Sequence, residues 1–257
     1  MFVAIVSIAP SMKRLMWKFW YNLIAKYDKN EMLTLMNYGY FENNKSSPAF
    51  IKPQLKLYEH VVEGINLDSK VVLEIGAGRS AGAAHLSKSQ NPSIYIALDM
   101  AARAGANSVT NDAQCIKNVT GDALVLPIQP SVVDIIVNVE SSHCYTDFEA
   151  FITQVALTLK KGGVFCCCDL MTPNQVEKTR EMFKKHNLVV TSDVDITQNI
   201  LNSLERGSGQ HKKLIESHVP WYLRKVFYDF AGIKGAGVYR LFETGKYVYY
   251  SFQAKKA

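Results

Sequence analysis

Val71-Val72-Leu73-Glu74-Ile75-Gly76-Ala77-Gly78-Arg79-Ser80 decides the fold. The first five residues are a short apolar run of the kind that fills a buried strand, and the glycines that follow let the chain turn tightly and approach a ligand closely. Working outward, the runs Ile94 to Leu98, Ile116 to Thr120, Val132 to Val139 and Gly163 to Cys168 read as further strands, while Phe148 to Leu159 and Gln175 to His186 carry helical spacing. Strands that alternate with helices imply right-handed crossovers and a doubly wound, mostly parallel α/β sheet. Ligands then bind at the carboxyl ends of the strands. A last strand, Tyr247 to Phe252, lies too near the chain end for another crossover helix and is expected antiparallel beside the sheet.

Gly76-x-Gly78-x-x-Ala81 also satisfies the loose dinucleotide fingerprint, so the glycines alone leave a nicotinamide cofactor open. Asp99 closes the second strand about 20 residues further on, where a carboxylate accepts both hydroxyls of a ribose in either cofactor class. Gly121-Asp122-Ala123 after the third strand is a short acidic turn suited to an exocyclic adenine amine. Glu74, together with Asp122, tips the balance: a carboxylate in the glycine loop repels a pyrophosphate and tolerates the sulfonium and ammonium groups of S-adenosylmethionine, the alternative being that both are solvated turn residues. The expected cofactor site is therefore Glu74, Gly76, Ala77, Gly78, Asp99, Met100, Gly121, Asp122, Ala123 and Asn138, with S-adenosylmethionine as its occupant.

The rest of the chain narrows the class. The 257 residues carry a net charge of +6, but the lysines are scattered among acidic residues and no basic groove emerges, so nucleic acid is not expected as a partner. Five cysteines, three of them consecutive at Cys166 to Cys168, make a poor disulfide framework and lack the paired spacing of a zinc site; a cytoplasmic chain without metal is expected. Met1 to Ala9 is apolar but far shorter than the roughly 20 residues of a membrane-spanning helix. From Ser11 to Tyr27, Met12, Leu15, Met16, Phe19, Trp20, Leu23 and Ile24 recur at helical spacing opposite Lys13, Arg14 and Lys18. This basic amphipathic helix either packs on its own domain or touches a membrane surface peripherally. Residues 1–56 are read as an N-terminal helical lid, and 57–257 as the catalytic domain with a C-terminal segment that covers the substrate.

Glu74-Ile75-Gly76-Ala77-Gly78, Asp99, Gly121-Asp122-Ala123 and Leu159-Lys160-Lys161-Gly162-Gly163 together resemble the class I methyltransferases. Met36-Asn37-Tyr38-Gly39-Tyr40, Val139-Glu140-Ser141-Ser142-His143-Cys144-Tyr145 and the tail from Phe230 through Tyr239, Gly245, Tyr249 and Phe252 resemble the phthiotriol and phenolphthiotriol dimycocerosates methyltransferases. The resemblance implies a seven-stranded Rossmann-like methyltransferase fold and methylation of a hydroxyl on a hydrophobic small molecule such as a lipid or polyketide. It departs at Ser80, where a third glycine is usual, and at Lys161, where a proline is usual.

An alcohol is a poor nucleophile while it keeps its proton, so O-methylation calls for a positioned general base. His143, just after the fourth strand, is the candidate; Asp169, at the end of the fifth, would orient the imidazole and stabilise its cation. Tyr38 and Tyr40, flanking Gly39, would close over cofactor or acceptor, or else pack in the core. Two other functions stay open: a C-methyltransferase on a sterol or isoprenoid, and a protein that binds the cofactor without catalysis.

Overall fold

The computed structural model describes residues 35–43, 52–101 and 114–257. The helix expected over 11–27 lies outside them. Seven strands form one sheet: β1 (Val71–Ile75), β2 (Ile94–Asp99), β3 (Ile116–Thr120), β4 (Val133–Val139), β5 (Leu159–Met171), β6 (Leu188–Asp195) and β7 (Val248–Lys256). Their spatial order is β3-β2-β1-β4-β5-β7-β6, with β7 antiparallel to both neighbours and every other pairing parallel. The last strand thus lies inside the sheet, between β5 and β6, rather than at its edge. The edge belongs to β6, a strand the apolar pattern did not reveal because most of its residues face solvent.

Helices α1 (Pro53–Val61) and α2 (Ala81–Gln90) cover one face, α3 (Phe148–Thr158) and α4 (Pro173–Lys185) the other. α1 begins before residue 57, the expected domain boundary, and its Leu57, Tyr58 and Val61 are core residues. Alternate residues of each strand feed the two cores, as the period of two requires: Val72, Ala97 and Val137 on the α1 side, Leu73, Leu98 and Ile136 on the α3 side. Edge-to-face rings Tyr145, Phe151, Phe165, Phe183 and Phe252, with centroids 4.8 to 5.9 Å apart, tie α3 and α4 to β5 and β7. α4 starts with Pro173 at its first turn and a capping box in which Thr172 and Gln175 exchange hydrogen bonds, which fixes the exit of β5.

Three further helices, α5 (Thr197–His218), α6 (Trp221–Phe230) and α7 (Gly237–Glu243), form a cap. Ile200, Leu204, Phe227, Val238 and Phe242 pack it onto the same core as α1 and Tyr249 of β7. This cap begins at Thr197, ahead of the tail quoted from Phe230. Because β1 to β5 run parallel, the glycine loop, Asp99, the 121–123 turn, Asn138, His143 and Asp169 all emerge at one edge of the sheet.

Candidate active site

The loop after β1 takes positive φ at Gly76 (+78°), Gly78 (+52°) and Ser80 (+61°). Gly76 has no alternative, since a Cβ there would lie 2.5 Å from Cβ of Ser141. At Gly78 a Cβ would meet nothing within 4 Å, so the loop presents bare backbone to open space. Ser80 accepts a left-handed conformation that suits glycine, a strain of roughly 1–2 kcal/mol. Its hydroxyl donates to Asn118 Oδ1 at 2.8 Å.

Asp99 is joined to this loop: Oδ2 accepts from the Gly78 N–H at 2.8 Å and Oδ1 from the Ala101 N–H at 2.9 Å. Met100 beside it is half exposed, Ala123 is buried, and Asp122 turns the chain by accepting from the Leu124 N–H at 2.9 Å. Asn138, fully buried at the end of β4, donates through Nδ2 to the Ile75 carbonyl at 2.8 Å and to Ser141 Oγ at 2.7 Å. Its Oδ1 is buried and without a hydrogen-bond partner among the described residues. Bare loop backbone, an acidic second-strand end and a buried acceptor beside the loop fit a ligand with a ribose and an ammonium group.

Glu74 is not part of this surface. It is fully buried on the α1 side of the sheet, where Oε1 accepts from Tyr58 Oη at 2.8 Å and Oε2 from Tyr95 Oη at 3.0 Å. The expectation that it offers a carboxylate to a cation in the loop is corrected: alternation along β1 turns it into the core, and two phenols occupy its oxygens. Burial pushes its carboxyl up to about 7, against the two phenol hydrogen bonds. A folded-state value above the unfolded 4.5 means that the folded protein holds this proton more tightly. That stabilisation is complete below 4.5 and is lost as pH rises through 7. Glu74→Gln removes the titration, so its melting temperature should gain on the parent's across that window; a difference independent of pH would show that Glu74 does not titrate there.

His143 lies in a 3₁₀ turn, Ser142–Cys144, directly after β4. Nδ1 meets Asp169 Oδ1 at 2.7 Å, while Asp169 Oδ2 accepts from the His143 N–H at 2.9 Å and from Ser142 Oγ at 2.6 Å. The side chains are only 9% and 4% exposed, so the pair is dry. Burial disfavours the imidazolium, but Asp169 and Cys144 outweigh it and raise His143 well above the ordinary histidine value. Burial likewise opposes the Asp169 charge, and His143 and Ser142 overcome it to hold the carboxyl below its usual range.

The two flanking tyrosines part company. Tyr38 sits beside the pair: its N–H donates to Glu140 Oε1 at 2.8 Å and its ring packs edge-on against Phe242 at 5.9 Å. Tyr40 does not reach the site. It stacks on His60 of α1 at 4.4 Å and donates to Glu42 at 2.9 Å, so the core-packing alternative holds for it. Glu140, not anticipated as a site residue, accepts from Tyr249 Oη at 2.7 Å as well. Its signal in the sequence is a charge immediately after an apolar strand, adjoining Ser141 and His143.

A family model described as "Methyltransferase domain" matches residues 73–167. The phthiotriol/phenolphthiotriol dimycocerosates methyltransferase of Mycobacterium leprae is 29% identical over 252 residues, 94% of this chain and 93% of that protein. The fatty-acid O-methyltransferase of Mycolicibacterium smegmatis is 25% identical, covering 85% and 81% respectively. In fold, the geranyl diphosphate C-methyltransferase of Streptomyces coelicolor A3(2) superposes with a TM-score of 0.64 over 92% of this chain and 97% of its own, at 14% identity. The domain match, the fold and similarity along nearly the whole chain show an S-adenosylmethionine-dependent methyltransferase with a Rossmann-like fold.

Proposed function

We propose that the enzyme methylates a hydroxyl group of a hydrophobic, lipid-like small molecule, with His143 as general base. The contact between His143 and Asp169 at adjacent strand ends carries this reading, because removing a proton from an alcohol is the step for which methyl transfer needs a side chain. The names of the relatives, which act on phthiotriol-type lipids and fatty acids, support a greasy acceptor. So do the apolar residues of the cap, Phe242 of which packs against Tyr38 beside the pair.

S-adenosylmethionine supplies the electrophilic methyl group when bound. Asp99 would hold its ribose, Asp122 and Ala123 its adenine, and Gly76, Gly78 and Asn138 its amino-acid end; Met100 would lie against the base. Asp169 keeps the imidazole in one orientation through Nδ1, and in this reading the imidazole takes the acceptor's proton. As that proton arrives the imidazolium forms beside a carboxylate already ionised, which lowers the charge cost of the step.

Asp99→Ala should weaken binding of S-adenosylhomocysteine roughly 10- to 100-fold by calorimetry, the equivalent of one charge-assisted hydrogen bond at about 1.5–3 kcal/mol. An unchanged affinity would remove Asp99 from the site. The proposal as a whole is tested by where the methyl group ends up: on oxygen as expected, or on carbon, which would favour a C-methyltransferase.

A further inference from the structure

The strip 35–43 has no regular secondary structure and is held at its two sides by ordinary contacts. Asn37 donates to the Gln54 carbonyl at 3.2 Å and Tyr40 N–H to the Pro53 carbonyl at 2.8 Å, beside the start of α1. On the other side Ser203 of α5 donates to the Tyr38 carbonyl at 2.8 Å, and Phe41 N–H to the Asn199 carbonyl at 3.3 Å. At the end of the sheet, among the described residues, the strip's hydrogen bond goes to one group, the Glu140 carboxylate.

Glu140 is a costly choice for a mere spacer. It takes φ of +47°, a conformation that disfavours side chains with a Cβ. Its N–H donates to the Cys168 carbonyl at 3.0 Å, which anchors the strained residue to β5. A single oxygen, Oε1, then receives both the Tyr38 amide at 2.8 Å and the Tyr249 hydroxyl at 2.7 Å. Two donors converging on one carboxylate oxygen join a backbone from before the sheet to its last strand, β7. The groups facing this carboxylate are Tyr38 from the strip, Tyr58 from α1, His143 from the 3₁₀ turn, Cys168 and Asp169 from β5, and Tyr249 from β7. One of them, His143, can carry positive charge.

We propose that Glu140 is a positioning residue: its carboxylate holds the Tyr38 strip against the sheet beside the His143–Asp169 pair and helps that pair carry a positive imidazole. The inference rests on the reading of the pair as the proton-handling group. Burial and the like charge of Asp169 push the Glu140 carboxyl up to about 8, against the hydrogen bonds of Tyr38 and Tyr249 and the attraction of His143. A proton gained by His143 therefore favours the ionised form of Glu140.

Two substitutions separate the clamp from the charge. Glu140→Gln keeps an oxygen for both donors and removes the charge; Glu140→Ala removes both. In the full chain, amide exchange at Tyr38 should stay near the parent's rate in Glu140→Gln and rise about tenfold in Glu140→Ala, the worth of one hydrogen bond. The His143 ring, followed by NMR, should titrate at lower pH in both variants. If Glu140→Ala fails to fold, Tyr249→Phe takes one donor from the oxygen, and Glu140→Gln still reports the charge through the His143 titration. Unchanged Tyr38 exchange in Glu140→Ala, or an unchanged His143 titration in Glu140→Gln, overturns the proposal. Neither readout needs an acceptor, so failure here is separate from failure to find methyl transfer.

Discussion

Replacing His143 by alanine should lower turnover about 100- to 10,000-fold, the usual contribution of a positioned general base, and leave donor affinity nearly intact. The size follows from the site: the imidazole is buried and fixed through Nδ1 by a carboxylate 2.7 Å away. Little water is at hand to take its place. Asp169→Asn should also lower turnover, and the double variant should be little worse than the worse single one, because residues that act as a unit are not additive. The pH profile carries a sign. His143 must be neutral to accept a proton, and its value is raised, so kcat should climb with pH through a range above that of ordinary histidine. Asp169→Asn removes a charge that raises it, so the climb should move to lower pH while the plateau falls. For stability the order is reversed: the ion pair contributes fully below the unfolded histidine value and is lost as pH rises through the folded one. Near-normal turnover of His143→Ala at saturating donor and acceptor would assign proton removal to another group.

Gly76→Ala should abolish measurable donor binding and cost several degrees of melting temperature. Its Cβ would lie 2.5 Å from Cβ of Ser141, whose hydroxyl is tied to the Ile75 carbonyl at 3.2 Å, to Asn138 at 2.7 Å and to Tyr145 at 2.8 Å. Ser141 cannot yield without breaking that network. Overpacking of this kind costs about 1–3 kcal/mol. Holding alanine at φ +78° adds about 1 kcal/mol or more. In a chain of this size that corresponds to roughly 5–15 °C. Thermal melts with and without S-adenosylhomocysteine check both parts; parental melting and a normal ligand-induced rise would show that the turn has room.

The parts of the molecule legible in the sequence are those whose information is local. β1, β2, β4 and the end of β5 show as apolar runs because strands inside a parallel sheet are covered on both faces, and the glycines at 76 and 78 mark a backbone requirement that no neighbour can disguise. His143 and Asp169 could be paired because consecutive parallel strands end at the same edge of the sheet. The misreadings all concern partners distant in the chain. Glu74 reads as a loop residue because the glycine turn begins two residues after it, yet its partners in space are Tyr58 and Tyr95, phenols on α1 and β2. Glu140 is not legible as a site residue because its two donors come from 102 residues before it and 109 after it. Tyr38 and Tyr40, two residues apart with the same side chain, face different neighbours because the chain turns at Gly39 with φ +75°. β7 could not be placed between β5 and β6 from its own pattern, since register and neighbour choice are set by the sheet as a whole.

The most direct test is incubation of the full chain with S-adenosylmethionine carrying a labelled methyl group and a lipid extract, followed by mass identification of the labelled product. A hydrophobic product with the label in a methyl ether or ester, absent with His143→Ala, is the expected result. Label attached to carbon, or no labelled lipid while the donor binds normally, would contradict hydroxyl methylation.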